Sequence, residues 1–268
     1  MSKTVAPYGS WKSPITTDLL TSSGISLSQI EVARDGIYWL EGRPLESGRV
    51  VIVRDGVDVT PAPFNARTRA QEYGGGAYFA SGQTVFFSNF VDQRLYRLDP
   101  GGKPQPITPE PKLAAGDRYA DGRITPDGKT IICVRESHRE GAEAITTIVT
   151  IPADGSAEPR VIVSGTDFYS FPRISPDGTK LAWTSWSHPQ MPWDGTEIWV
   201  ADLNATGVSN QRLVAGSATE SVFQPEWSAD GRLHFISDRT GWWNLYEERD
   251  GKVIPLARMA AEFGLPQW

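Results

Sequence analysis

Short apolar runs, each strand-sized and set off by glycine-bearing turns, recur along the whole chain, and none reaches the length of a helix that would span a membrane. The dipeptide Asp-Gly stands just before such a run in ARDGIYWLE (33–41), TPDGKTIICV (125–134), SPDGTKLAWT (175–184) and SADGRLHFIS (228–237). In ASGQTVFFS (80–88), Ser81-Gly82 takes its place. The turn glycines Gly36, Gly82, Gly128, Gly178 and Gly231 are, by subtraction, 46, 46, 50 and 53 residues apart. Asp-Gly between apolar, β-branched stretches signals a hairpin, because glycine supplies a positive φ at no steric cost. The run after each turn is apolar at every position, which predicts a strand buried on both faces.

Each unit then repeats one order of strands. Residues 73–108 read as YGGGAYFA, TVFFSNF, RLYRLDP and PQPIT; residues 168–214 read as FPRISP, KLAWTSW, TEIWVADL and QRLVAG. Segments 26–60, 119–163 and 223–257 follow the same plan. Four strands per repeat of this length is the period of a β-propeller blade. A sandwich would not place one turn at one point in successive quartets. The expected fold is therefore all-β, a β-propeller of four-stranded antiparallel blades, with about five present. The expected domain division is an N-terminal segment, 1–25, and a propeller, 26–268. A short helix is expected in the former, with Ser13 as cap, Pro14 at the first helical position and ITTDLL following.

The end of the chain bears on closure. AEFGLPQW (261–268) resembles VFQPEW (222–227) in placing an aromatic, a proline and a tryptophan in order, and reads as the opening strand of a sixth unit. The expectation is an incomplete ring, truncated at the C-terminus, with Trp227, Phe235 and Trp243 of the fifth unit partly exposed at its open edge.

Composition narrows the function. Of 268 residues, 39% are hydrophobic and 22% charged, which suits a packed core, and the net charge of −6 without a basic run argues against nucleic-acid binding. The first residues, MSKTVAPYGSWKSP, lack the apolar stretch of a secretory signal, so neither secretion nor membrane insertion is expected and a cytoplasmic setting follows by default. Cys133, the single cysteine, lies in TIICV and is expected to be a buried, inert thiol.

Several segments together carry a family resemblance: YGSWKSPIT (8–16), IYWLEGRPLESGRVVIV (37–53), RTRAQEYGGGAY (67–78), VFFSNFVDQRLYRLDP (85–100), RYADGRITPDG (118–128) and SDRTGWWNLY (237–246). With them the chain resembles, over almost its whole length, the N-terminal propeller of the prolyl oligopeptidase family of serine peptidases, in its dipeptidyl aminopeptidase and acylaminoacyl-peptidase-like branch. The PDG turns alone are less specific, since TolB-like propellers share them. The resemblance implies an α/β-hydrolase domain as partner, in the same polypeptide or supplied by another chain, and peptide substrates whose entry the propeller restricts. The sequence departs from the family in its chemistry. No serine has glycine at both −2 and +2, so the nucleophile elbow is missing, and His138, His188 and His234 all fall within the repeats. The chain is expected to be inactive alone.

Loop length assigns the faces. The first turns of each unit are minimal hairpins, whereas GRPLESG (42–48), NFVDQ (89–93), SHREGAEA (137–144), SHPQMPWDG (187–195) and DRTGWW (238–243) are longer, and function rides on elaborated loops. On this face Arg43, Arg94 and Arg239 are candidates for a substrate carboxylate or a domain interface. Trp193, Trp242 and Trp243 are candidates for a peptide entry or a docking surface. Glu72, next to Tyr73 at the channel border, is a candidate for a substrate ammonium. Each has a plainer reading as a solvated arginine, an inter-blade tryptophan or an ordinary ion pair. No cofactor or metal is expected: Gly74-Gly75-Gly76 lacks the Lys-Ser/Thr of a phosphate loop, and the histidines lack metal spacing, His188 and Asp194 being too few. Two other readings stay open: a self-standing TolB-like propeller binding a protein or peptide, and a five-bladed glycoside hydrolase or lyase using Glu31, Asp121 and Glu226.

Overall fold

The structure, a computed structural model, describes residues 5–21 and 24–264. Its strands form five four-stranded antiparallel sheets, each a meander of consecutive strands. Blade one holds β1 (Ser26–Ala33), β2 (Gly36–Arg43), β3 (Arg49–Arg54) and β4 (Val57–Asp58). Blade two holds β5 (Tyr78–Ser81), β6 (Thr84–Ser88), β7 (Leu95–Leu98) and β8 (Gln105–Pro106). Blade three holds β9 (Asp117–Ile124), β10 (Thr130–Arg139), β11 (Ala142–Pro152) and β12 (Arg160–Val163). Blade four holds β13 (Phe168–Ile174), β14 (Lys180–Trp186), β15 (Glu197–Asn204) and β16 (Gly207–Gly216), and blade five β17 (Val222–Trp227), β18 (Leu233–Ser237), β19 (Asn244–Arg249) and β20 (Lys252–Pro255). The innermost strands adjoin in chain order, β1 to β5, β5 to β9, β9 to β13 and β13 to β17. Among the described residues no comparable contact returns from β17 to β1.

The unbroken apolar runs are explained by what lies on either side of them. In β6, Phe87 packs with Tyr38, Leu40 and Ile52 of blade one, while its neighbour Phe86 packs with Tyr119, Ile131 and Cys133 of blade three. In β10, Ile131 and Cys133 face blade two, and Ile132 and Val134 face Tyr169, Leu181 and Trp183 of blade four. Ala182, one residue on, joins Val200, Leu233, Phe235 and Tyr246 at the interface with blade five. Strand side chains alternate in direction, so a strand between two blades is apolar at every position. Each large side chain so buried contributes about 1.5–3 kcal/mol. Cys133 is buried in this packing, which pushes its thiol pKa well above the ordinary value.

A second repeat was not visible in residue type. Gln29, Gly76, Asp121, Phe171 and Gln224 all have left-handed backbone, with φ of 49°, 59°, 55°, 51° and 53°. In β1, β9, β13 and β17 the register shifts there, as at a β-bulge. These residues cross-link the inner strands. Gln29 donates from Nε2 to Tyr78 O (2.7 Å) and accepts from Ala77 N (3.0 Å), and Asp121 Oδ2 accepts from Phe171 N (3.2 Å).

Four expectations need correction. The helix is Thr17–Thr21, and Thr16 caps it by accepting from Leu19 N (3.1 Å), while Ser13 only accepts from Ile15 N. In YGGGAYFA the strand begins at Tyr78, because Gly74, Gly75 and Gly76 all take positive φ. Residues 261–264 form no strand; they lie against blade five, where Phe263 N donates to Trp243 O (2.7 Å), and 265–268 fall outside the described residues. Phe235 is 1% exposed, since it faces blade four and not the open side; Trp227 and Trp243 are half-buried.

Candidate functional site

The crossing from blade one to blade two, residues 65–76, does not simply join them. Gln71 N donates to Glu136 Oε2 of β10 (2.6 Å), and Gln71 Nε2 donates to Tyr169 O of β13 (2.9 Å). The segment is thus tied to blades three and four and lies over the axis on the long-loop face. Its glycines permit this course. A Cβ on Gly74 would sit 2.6 Å from Thr68 O, and one on Gly76 would sit 2.3 Å from Asp121 Oδ1, and both have φ that L-residues resist. Beneath the strap is a cleft of about 270 Å³, lined by Gln71, Gly74–Gly76, Asp121, Tyr169 and Phe171 among others.

A charged cluster stands at its edge. Arg118 Nη1 of β9 donates to Glu72 Oε1 (2.6 Å) and to Glu136 Oε1 (3.2 Å), and His138 Nε2 lies 2.5 Å from the same Glu136 oxygen. Glu136 is buried, so it depends on these partners, whereas Glu72 is 72% exposed at its side chain. The Arg118 guanidinium holds the Glu72 carboxyl below its ordinary pKa, so Glu72 is a fixed negative charge at neutral pH. Glu72, Glu136 and His138 offer ligand atoms within 4.8 Å of one another, but a guanidinium nitrogen already sits on both carboxylates, where a cation would go. Next to the cluster, Arg67 and Arg69 place their guanidinium carbons 4.9 and 5.5 Å from the centre of the Phe90 ring. Tyr73 is exposed on the strap.

The other candidates separate into two groups. Arg43 is consumed within blade one: it forms a two-fold bridge with Asp58 (2.7 and 2.6 Å) and further bonds with Glu41 and Glu46. Arg94 donates to Thr108 O within blade two, joining β7 to the segment after β8. Arg239 bonds Glu220 (2.8 Å) and lies over the Tyr246 ring. The tryptophans are arranged differently. Trp193 and Trp242 are 40% and 42% exposed on neighbouring loops of blades four and five, and Met191, Met259 and Phe263 are exposed on the same face. Trp243 is turned inward, edge-on to Phe223 with centres 5.4 Å apart, and its backbone N donates to Glu262 Oε2. The long-loop face therefore has a charged half over blades two and three and an apolar half over blades four and five. Of the residues singled out from the sequence, Glu72, Tyr73 and the tryptophans lie on this face; Arg118, Glu136, His138 and the two methionines join them there through loops far apart in the chain.

Ser137 Oγ donates to Asp117 Oδ1 (2.6 Å), while the adjacent His138 lies against Glu136. The carboxylates of the lyase reading are also engaged elsewhere. Glu31 accepts from Ala80 N (3.1 Å), Asp121 from Phe171 N, and Glu226 from Arg173 Nε (2.6 Å). Among the described residues, no helix is long and apolar enough to cross a membrane.

Known proteins can now be set beside this geometry. No protein-family model matches the chain, and no curated protein does. Among solved structures, a puromycin-hydrolyzing peptidase of Mycobacterium tuberculosis is 41% identical, with a TM-score of 0.88, over 99% of this chain and 44% of its own. A puromycin hydrolase is 35% identical with the same TM-score and the same coverage. The chain thus spans less than half the length of these peptidases. A putative TolB from Agrobacterium tumefaciens, 21% identical over 69% of this chain and 62% of its own with a TM-score of 0.52, shares the fold alone. The five blades superpose over almost the whole of this chain on part of such peptidases, members of the prolyl oligopeptidase family, and the chain is similar to their β-propeller part.

Proposed function

We propose that this chain is the substrate-gating and docking propeller of a serine peptidase, inactive by itself, whose α/β-hydrolase domain seats on the long-loop face. The observation that carries the reading is the 41% identity that runs through 99% of the chain yet reaches only 44% of the peptidase. Two features of the face support it. Trp193, Trp242, Met191 and Met259 make an apolar half suited to a domain interface, where aromatic residues and methionine are enriched. In this reading Glu72 on the strap, beside the exposed Tyr73, meets Arg118 through Oε1 and offers the exposed remainder of its carboxylate to the ammonium end of a peptide. The hydrolase domain comes from the same polypeptide or from a separate chain.

The test is a chimera in which this propeller replaces the matching part of the M. tuberculosis peptidase. The chain alone should not turn over aminoacyl nitroanilides, whereas the chimera should, and Glu72→Gln in the chimera should raise KM for substrates with a free amino end more than for acylated ones. A folded chimera without turnover, or turnover by the chain alone that a serine-directed inhibitor abolishes, would refute the reading.

A further inference from the structure

The strap bends through two residues that resist the shape they take. Gln71 and Glu72 both have left-handed backbone, with φ of 54° and 63°, although neither is glycine. Such backbone persists only where the surroundings hold it. At the start of the bend the hold is Gln93, buried in the loop between β6 and β7, whose Oε1 accepts from Arg69 N (2.6 Å). Glu72 N then turns back onto Arg69 O (3.0 Å), and Gly74 N onto Ala70 O (3.0 Å).

Two side chains of blade three close a ring of bonds around this turn. Glu136 accepts from Gln71 N through Oε2 (2.6 Å) and from Arg118 Nη1 through Oε1 (3.2 Å). The same Arg118 nitrogen donates to Arg69 O (2.9 Å) and to Glu72 Oε1 (2.6 Å). It carries two N–H groups, so three acceptors share them and fix it from three sides. Exposure rises along the series: the side chains of Glu136, Arg118 and Glu72 are 6%, 12% and 72% exposed. The buried carboxylate thus anchors the arginine, and the arginine sets the exposed carboxylate. Three of the four carboxylate oxygens are engaged; Glu72 Oε2 has no partner among the described residues.

We propose that Glu136 and Arg118 are positioning residues, which hold the strap in its strained course and set Glu72 in advance, so that its Oε2 is presented to a primary ammonium. Neither touches the ligand. The inference rests on the reading of Glu72 as the partner of a peptide's amino end and adds how that group is held. A glutamate left free on a loop gives up rotamer freedom when it binds, so loss of the hold should weaken binding about fivefold.

The test uses the same chimera, with free and N-acylated aminoacyl nitroanilides, and the chain alone for hydrogen exchange. Glu136→Gln keeps an acceptor for Gln71 N and removes the charge that anchors Arg118. It should raise KM for the free-amino substrate about fivefold, with kcat within about twofold and KM for the acylated substrate unchanged. Arg118→Lys, which keeps the buried charge paired and should fold even if the glutamine variant does not, should act in the same direction by about threefold. Glu136→Gln added to Glu72→Gln should add nothing, because Glu136 acts through Glu72. Ile151→Val, a small loss in the core of blade three, should leave both KM values alone. In the chain alone, both strap variants should speed amide exchange in 69–74 while β14 keeps its protection. Unchanged exchange in both variants, an equal rise in KM for the acylated substrate, or additivity in the double variant would overturn the assignment. If Glu72→Gln raises KM for the free-amino substrate and neither Glu136→Gln nor Arg118→Lys does, the positioning role alone fails. If Glu72→Gln itself has no effect, the amino-end reading fails and this role falls with it.

Discussion

Removing the side chain of Asn244 should release the segment that covers the open side of blade five. Asn244 opens β19, is 1% exposed, and holds residues 259–261 by three hydrogen bonds. Its Oδ1 accepts from Met259 N (2.9 Å), and its Nδ2 donates to Met259 O (3.2 Å) and Ala261 O (3.0 Å). The segment then runs on to Gly264, which packs so closely that a Cβ there would lie 2.4 Å from Phe223 Cζ and 3.3 Å from Ile236 Cγ2. Phe223 and Ile236 are buried although they face away from blade four. An intramolecular hydrogen bond contributes about 0.5–1.5 kcal/mol net, so Asn244→Ala should cost about 2–4 kcal/mol. Against a domain stability of roughly 5–15 kcal/mol the protein should stay folded. Urea unfolding gives the energy, and hydrogen exchange by mass spectrometry gives the location. The Met259 and Phe263 amides should lose protection while β10 and β14 keep theirs. A loss under about 0.5 kcal/mol with unchanged exchange in 256–264 would show that Phe263 N to Trp243 O and Trp243 N to Glu262 suffice, and that the Asn244 contacts carry no weight.

Two further outcomes follow from the packing and the turns. Gly122→Ala puts a Cβ 2.2 Å from Phe79 Cε1, in a ring that stacks on Phe86 with centres 4.9 Å apart; overpacking of this kind should cost about 1–3 kcal/mol in urea unfolding, and Phe79→Leu should recover part of it, so that additive single and double variants would count against a direct clash. Asp177 has its pKa lowered to about 2, first by the Ser175 hydroxyl and then by Thr179. A depressed pKa stabilises above the unfolded value of about 3.9 and ceases to do so as pH falls through about 2, so the deficit of Asp177→Ala in urea midpoint should be constant near neutrality and close between those limits, and a deficit independent of pH would refute it.

What the sequence by itself determined was local. Asp-Gly turns and runs apolar at every position are properties of neighbouring residues, and they suffice for the strands, their grouping in fours and the side on which long loops fall. The short helix and the YGGG segment were misplaced by a few residues because capping and left-handed backbone depend on which hydroxyl or carbonyl lies near, as Thr16 and Thr68 show. Tertiary structure decided the sites. Glu72 looked like one exposed acid among many; the chain had to close three blades before Arg118, 46 residues on, and Glu136, 64 residues on by subtraction, could meet it. Arg43 and Arg94 looked as available as any loop arginine until Asp58 and the Thr108 carbonyl were found against them. The bulges show the limit most plainly. Four inner strands, and the segment just before β5, adopt the same left-handed kink with Gln, Asp, Phe, Gln and Gly, so the position is fixed by the need of each inner segment to bend against its neighbours, and no residue type announces it.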